Sequence, residues 1–218
     1  MTSTSADLFE AIEQGDTSRV RTILAAEPTL VGTRDREGVS ALMRARYRMD
    51  KDLIQVVHEH VDELDIFEAA TFGDLDRLTE LLAYDPASVV ERSGDGFTAL
   101  HFAAFFGGPE VTSFLVTRGS QVDAHGTGWM TGTSLHSAAS SDHVDVARVL
   151  LDAGSSPDER QSGGWTPLHA AAHNGSAAMV TLLLEAGADP ALTNDDGQTP
   201  SDLAIEGGDV ATIALLGG

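Results

Sequence analysis

The sequence predicts an all-α fold, a solenoid in which pairs of short helices stack on one another. The main observation is a period of 33 residues, because Thr133, Thr166 and Thr199 each open a similar stretch of chain. In the stretch after Thr166, two short apolar patterns of helical spacing are separated by Gly175. A helix pair of this size cannot bury both of its apolar faces alone, so neighbouring pairs must cover them.

The residues from Gly164 to Gly197 explain how one unit folds. Thr166 can cap the first helix with its hydroxyl, and Pro167 suits the first turn, where a missing N–H costs nothing. Leucine and alanine form one narrow apolar face of this helix, and Gly175 ends it. The second helix has a broader apolar stripe, which Gly187 stops. We therefore predict a helix-turn-helix unit followed by a turn.

This unit resembles the ankyrin repeat. The resemblance is carried by Thr166-Pro167-Leu168-His169 with Ala171 and Ala172 at its start, and by Gly187-Ala188-Asp189 at its end. It covers nearly the whole chain and is most specific from Gly96 to Ala204. The resemblance implies an all-α ankyrin-repeat solenoid of about seven helix-turn-helix repeats joined by β-hairpin-like loops, with variant N-terminal and capping repeats.

We expect a single ankyrin-repeat domain over residues 1–218. The expected repeats are approximately residues 5–39, 40–64, 65–97, 98–132, 133–165, 166–198 and 199–218. The first and third are variants that end in an acid-proline pair, the second is short, and the last is a C-terminal cap. Because repeats fill this length, we expect no attached catalytic domain.

The chain is strongly acidic. Its 34 acidic and 13 basic residues give a net charge of −21. Such a surface should repel nucleic acid and anionic lipid and favour a basic partner, although better solubility alone also explains it. The chain has no cysteine, no apolar run of ~18 residues and no signal-peptide pattern. We expect a cytoplasmic monomer that binds neither nucleic acid nor membrane.

Three histidines recur with the repeat: His101, His136 and His169. The resemblance implies that each is a structural residue, which ties its own helix start to a neighbouring loop by hydrogen bonds. Successive copies should lie roughly 10 Å apart, too far to share a metal ion at ~2.1 Å. We therefore expect no metal site, no cofactor and no catalytic set.

The stretch Gly126 to Gly132 is rich in glycine, as phosphate-binding loops are. It lacks the lysine of a Walker loop and a preceding buried strand. We interpret it as an elongated hairpin tip, two residues longer than the period expects.

By the same resemblance, hairpin tips and inner helices line a concave groove that binds protein partners. The residues expected to face this groove are Phe72, Phe97, Phe105, Phe106, Trp129, Met130, Trp165, His173 and Asn174. Alternatively, some pack on a neighbouring loop, especially Phe106 and Phe72. Burying one large apolar side chain contributes about 1.5–3 kcal/mol, against about 0–1 for an exposed ion pair, so we expect the aromatic residues to dominate affinity.

Six of the basic residues fall between Arg34 and Lys51. One hypothesis is an anion site at Arg44, Arg46 and Arg48, for a phosphate or an acidic peptide. The alternative is that these arginines pair with acidic neighbours in adjacent repeats.

These observations predict a non-enzymatic protein-protein interaction module. The alternative is an acidic inhibitor or immunity-type protein that neutralises a basic enzyme or toxin; steep weakening of binding by salt would favour it. A third class, a metal-dependent or small-molecule enzyme, would require a ligand at the three recurring histidines.

Overall fold

A computed structural model describes residues 3–128 and 130–217, and over this part of the chain the protein is helical. Fourteen α-helices are joined by short turns, and the only β-type pairings within these ranges are the isolated bridges Arg34–Ser40 and Arg92–Thr98. The all-α fold is thereby confirmed. The chain forms two compact units, Met1–Glu68 with Ser93–Asp95, and Ala69–Arg92 with Gly96–Gly218.

The first unit contains two complete helix pairs. Its helices are α1 Ser5–Gln14, α2 Thr17–Ala26, α3 Ala41–Tyr47 and α4 Lys51–His58, with a 3₁₀ turn at Pro28–Gly32. Helix α1 packs on α2 and α3, and α4 packs on α2 and α3. Fully buried leucine and isoleucine side chains fill the space between them, among them Leu8, Ile12, Leu24, Leu42 and Leu53. Helix α5, Ile66–Phe72, begins in this unit and ends in the second.

Two buried acids of the first unit have hydroxyl partners that the sequence did not reveal. Ser40 Oγ donates to Glu68 Oε1 at 2.6 Å, and Tyr47 donates its phenolic proton to Asp95 Oδ2, also at 2.6 Å. Burial raises the pKa of Glu68, and it raises the pKa of Tyr47 as well, where the Asp95 carboxylate adds to the effect. Both bonds tie α3 to chain segments more than twenty residues away.

The second unit continues the helix pairs. Its helices are α6 Leu75–Tyr84, α7 Ala99–Phe102, α8 Pro109–Thr117, α9 Ser134–Ser140, α10 Val144–Asp152, α11 Pro167–His173, α12 Ala177–Glu185, α13 Pro200–Gly207 and α14 Val210–Leu215. The first helices of successive pairs, α7, α9, α11 and α13, pack side by side, and so do the second helices, α8, α10, α12 and α14. We call the first set the inner helices. This stacking buries the leucine and alanine faces that the sequence predicted.

Threonine is the N-cap residue of all four inner helices for a local reason. The Thr166 hydroxyl accepts a hydrogen bond from the His169 backbone N–H, and the Thr166 backbone N–H donates one to Nδ1 of the His169 ring. Equivalent capping boxes precede α1, α7, α9 and α13. The predicted cap at Thr166 and the predicted left-handed Gly175, with φ of 68°, are both confirmed.

Candidate protein-binding surface

Consecutive hairpins of the second unit are held in register by backbone hydrogen bonds. Thr127 N–H donates to the Gly96 carbonyl at 3.1 Å, and Asp195 N–H donates to the Gly163 carbonyl at 2.9 Å. Between these pairs, Ser162 N–H donates to Thr131 Oγ1 at 2.7 Å. Side chains on successive hairpins and inner helices therefore repeat along one face of this unit.

The three recurring histidines fasten each helix start to the following hairpin. In each ring Nδ1 accepts from a threonine backbone N–H, and Nε2 donates to a carbonyl oxygen at 3.1 Å. Those carbonyls belong to Gly132, Trp165 and Gln198 for His101, His136 and His169. The predicted structural role is confirmed.

This bonding pattern requires neutral imidazole rings. Burial lowers the pKa of His101 and of His136 to about 4, and burial also lowers the pKa of His169. A neutral ring with its proton on Nε2 forms a hydrogen bond with both the threonine N–H and the carbonyl oxygen, and no charge is buried. Among the described residues, no three His, Asp or Glu side chains are grouped so that they could hold a metal ion.

Phe105 and Phe106 lie on an unusual extension of an inner helix. Helix α7 continues as a π-helical turn, Ala103–Gly107, and the chain then adopts positive φ at Gly108, 92°, just before Pro109. Proline disfavours the helical conformation at the residue before it, which agrees with the end of the turn at Gly107 and with Gly108 as its cap. In the next two repeats the positive φ falls one position earlier, at Asp142 and Gly175.

Glycine is needed at the end of this π-helical turn. A Cβ atom on Gly107 would lie 2.1 Å from the Ala70 carbonyl oxygen, so only glycine permits this approach of the two backbones. The turn leaves the rings of Phe105 and Phe106 half-exposed, in edge contact with centroids 4.6 Å apart. Sequence reasoning missed this turn, and Gly107-Gly108-Pro109 is the signal that could have revealed it.

Trp165 is a half-exposed ring on the hairpin before α11. Its ring meets the edge of the exposed His173 ring at 5.5 Å and lies 6.1 Å from the His169 ring. Its carbonyl oxygen accepts from both His136 Nε2 and Gln161 N. The tryptophan backbone is thus fixed while part of the ring remains accessible, as a rigid recognition residue requires.

The structure corrects one expected groove residue. Phe97 does not face outward: its side chain is 3% exposed, and its ring packs on Phe102 at 5.9 Å and on His101 at 5.7 Å. The longer hairpin that follows lies against it, since a Cβ on Gly126 would come within 2.9 Å of the Phe97 ring. Burying a large apolar side chain in that space stabilises the fold more than leaving it exposed to water at the hairpin tip.

The other expected residues differ in their roles. Phe72 and Met130 are half-exposed, and Trp129 lies outside the described residues. Asn174 is exposed, yet its amide donates to the Ser140 carbonyl at 3.1 Å and so helps to cap α9. We use the term aromatic face for Phe105, Phe106, Met130, Trp165 and His173.

The arginine-rich segment of the first unit forms ion pairs. Arg44 contacts the carboxylates of Asp35 and Glu37, and Arg34 pairs with Asp65 at 2.6 Å. Burial opposes the charge of Arg44, but these carboxylates outweigh it and raise its pKa. Arg44 therefore pairs with acidic residues of an adjacent expected repeat, as the alternative predicts, whereas the partner of Arg34 lies two expected repeats further on.

The three residues of the hypothetical anion site have different surroundings. Arg44 is occupied by carboxylates, and Arg48 donates to the carbonyl oxygen of Glu13. Arg46 is half-buried, and that burial lowers its pKa. An anion would have to compete with the partners of Arg44 and Arg48 for their N–H groups.

No helix in the described part of the chain is both long enough and apolar enough to cross a lipid bilayer.

Comparison with known proteins agrees with this repeat geometry. The family model for ankyrin repeats (many copies) matches residues 66–116 and 135–184. A probable E3 ubiquitin-protein ligase of Oryza sativa subsp. japonica is 48% identical over 63 residues, which are 28% of this chain and 14% of that protein.

Two further relatives match longer segments. A putative ankyrin repeat protein of Rickettsia felis is 30% identical over 131 residues, 58% of this chain and 57% of that protein. The NF-kappa-B inhibitor cactus of Drosophila melanogaster is 31% identical over 135 residues, 60% of this chain and 26% of that protein. The chain therefore spans less than two thirds of the length of each of these relatives.

Proposed function

Because this chain is an ankyrin-repeat protein, we propose that it is a protein-interaction module with no catalytic activity of its own, and that the aromatic face binds its partner. The observation that carries the proposal is the placement of Phe105, Phe106, Met130 and Trp165. These four large apolar side chains remain half-exposed beside hairpins and inner helices that hydrogen bonds hold in register.

Energetic considerations favour this face over the charged surface. Complete burial of a large apolar side chain contributes about 1.5–3 kcal/mol, so covering the exposed half of each of these four should give about 1 kcal/mol or more. An exposed ion pair contributes about 0–1 kcal/mol. Rigid aromatic side chains also lose little conformational entropy on binding, which suits them to dominate an interface.

The repeat itself supplies a sharp test. Ser140 and Ser141 occupy the positions in the next repeat that Phe105 and Phe106 occupy here, so serine at both sites is compatible with an ankyrin inner helix. We would compare wild type with Phe105→Ser/Phe106→Ser/Trp165→Ala as baits for affinity capture from a lysate of source cells. Tyr84→Ala, at a side chain that is 93% exposed on α6 and outside the aromatic face, is the matched control.

The proposal expects one protein to be retained by wild type and by the Tyr84 variant and lost by the triple variant. Circular dichroism and urea unfolding must show that the triple variant is folded. Retention of the same protein by all three baits would contradict a binding role for the aromatic face.

A second candidate is an acidic inhibitor or immunity-type protein that blocks a basic enzyme or toxin. The second unit favours it, because its 19 acidic and 5 basic residues give 5 − 19 = −14. One relative, the fly protein, is itself named an inhibitor. A partner affinity that falls by orders of magnitude between low and physiological salt would favour this candidate, whereas salt-tolerant binding lost in the triple variant would favour the aromatic face.

A further inference from the structure

We propose that His125 is a proton-dependent clamp between two consecutive hairpins of the second unit, closed when its imidazole ring carries both protons. The ring lies between the Thr131 carbonyl of its own hairpin and the Glu159 carboxylate of the next. Nδ1 is 2.7 Å from Thr131 O, and Nε2 is 3.0 Å from Glu159 Oε2.

Both partners of this ring are hydrogen-bond acceptors. A backbone carbonyl oxygen can only accept, and an ionised carboxylate can only accept. A neutral imidazole has a single N–H and can therefore make only one of the two bonds. With Glu159 ionised, both contacts can be hydrogen bonds only if His125 is an imidazolium, bonded to Thr131 on one side and to Glu159 on the other.

The recurring histidines show the opposite arrangement. The His101 and His136 rings each accept at Nδ1 from a threonine N–H and donate at Nε2 to a carbonyl. Neutral rings satisfy these contacts, so His101 and His136 stay uncharged in the neutral range. His125 has the same side chain but a different set of partners, and it is the partners that make it sensitive to protons.

The charged groups around His125 favour its protonated form. The hydrogen bond to Glu159 is the largest effect on its pKa and raises it; burial opposes this, while the Thr131 carbonyl and the nearby Asp123 add to the increase. The neighbouring His101 and His136 are neutral and bring no positive charge. The side chains of His125 and Glu159 are 40% and 38% exposed, so protons of the solvent can reach the pair.

The clamp acts on residues beside the aromatic face. Thr131 follows Met130 in the chain, and its hydroxyl joins Ser162 of the next hairpin through two contacts of 2.7 Å. At the base of the same hairpin, Gly126 N–H donates to the Gly132 carbonyl at 2.9 Å. Loss of one His125 bond removes a link between these segments. Any effect on the presentation of Met130 to a partner rests on the proposed function, but the clamp itself does not.

The test is an NMR titration of the full chain between pH 5.5 and 9, with no partner present. The ring ¹⁵N chemical shifts of His125 report its protonation state. Hydrogen exchange of the Gly126 and Ser162 amides, corrected for intrinsic exchange, reports how often the hydrogen bonds in the two hairpins open. The clamp predicts an imidazolium at pH 6, a midpoint higher than that of an unperturbed imidazole, and a loss of protection at both amides as His125 gives up its proton.

Two variants make this outcome specific. His125→Gln has all its donors on one nitrogen and an acceptor oxygen on the other side, so it cannot reproduce both bonds of the ring, and both amides should show the lower protection at every pH. Glu159→Gln keeps an acceptor oxygen without the charge, so the midpoint should move to lower pH. His60→Gln, in the first unit, where the ring contacts the Val56 carbonyl through Nδ1, is the control and should leave the titration unchanged.

The clamp is excluded by either of two results. One is a His125 ring that remains neutral at pH 6. The other is amide protection that does not change with pH or with His125→Gln, in a variant whose spectrum elsewhere overlays that of wild type. Neither result bears on capture of a partner by the aromatic face, so the two proposals can fail separately.

Discussion

His136 Nε2 donates to the carbonyl oxygen of Trp165, 3.1 Å away and 29 residues further along the chain. The same ring accepts at Nδ1 from the Thr133 N–H at the start of α9. One neutral side chain therefore joins the beginning of an inner helix to the next hairpin. Because that hairpin carries Trp165, a residue of the fold also positions a residue of the proposed binding surface.

The first prediction concerns this bond. His136→Ala should lower the free energy of unfolding by about 2–3 kcal/mol, because it empties a fully buried site, leaves the Thr133 N–H without its ring acceptor and removes one of the two hydrogen bonds to the Trp165 carbonyl. His173→Ala, at an exposed ring, should change it by less than about 1 kcal/mol. Urea unfolding followed by circular dichroism measures both; equal effects would show that the bond does not stabilise the unit.

The second prediction is a loss of stability in acid. His101 and His136 have folded pKa values of about 4, below the unfolded value of 6.5, so unfolding takes up protons as the pH falls from 6.5 towards 4. The neutral rings contribute fully to the free energy of unfolding above pH 6.5. The contribution of each histidine should fall by about 2 kcal/mol between pH 7 and pH 5. Urea midpoints measured across this range should fall steeply.

A variant separates these histidines from the carboxylates. His136→Gln retains a donor but cannot take up a proton, so it should remove about half of this pH dependence. If the stability of His136→Gln falls with pH as steeply as that of wild type, groups other than His136 cause the loss of stability in acid.

The third prediction concerns the π-helical turn. Gly107→Ala should destabilise the protein by about 2 kcal/mol or more. Its Cβ would lie 2.1 Å from the Ala70 carbonyl oxygen, so one of the two backbone segments would have to shift to avoid the clash. Gly32→Ala is the control: nothing lies within 4 Å of its Cβ, and its φ is not positive. Thermal unfolding compares the two, and a Gly107 variant as stable as the control would show that this close approach does not exist.

The fourth prediction distinguishes a buried phenylalanine from a half-exposed one. Phe97→Ala should lower the free energy of unfolding by about 3–5 kcal/mol, the usual effect of creating a cavity in a core. Phe105→Ala should lower it by less than about 1.5 kcal/mol. Both values come from urea unfolding of single variants. Similar costs for the two would mean that Phe105 is also part of the core and would weaken the proposed binding surface.

Local relationships explain how much of the fold the sequence predicted. A threonine three residues before a histidine forms a capping box through bonds within one turn, and Gly175 ends a helix through its own backbone freedom. The period of 33 residues then required that such units stack. The structural role of His101, His136 and His169 was implied by the resemblance to the ankyrin repeat.

The sequence by itself thus determined the helix pairs, their caps and the order of their stacking, because each depends on residues within one repeat or on its period. Only the tertiary structure decided that Phe97 points inward, that a π-helical turn presents Phe105 and Phe106, and that His125 lies between Thr131 and Glu159. These outcomes depend on contacts between different repeats. Stacking brings together residues about 30 positions apart, and the available space and hydrogen-bond partners there determine where each side chain points.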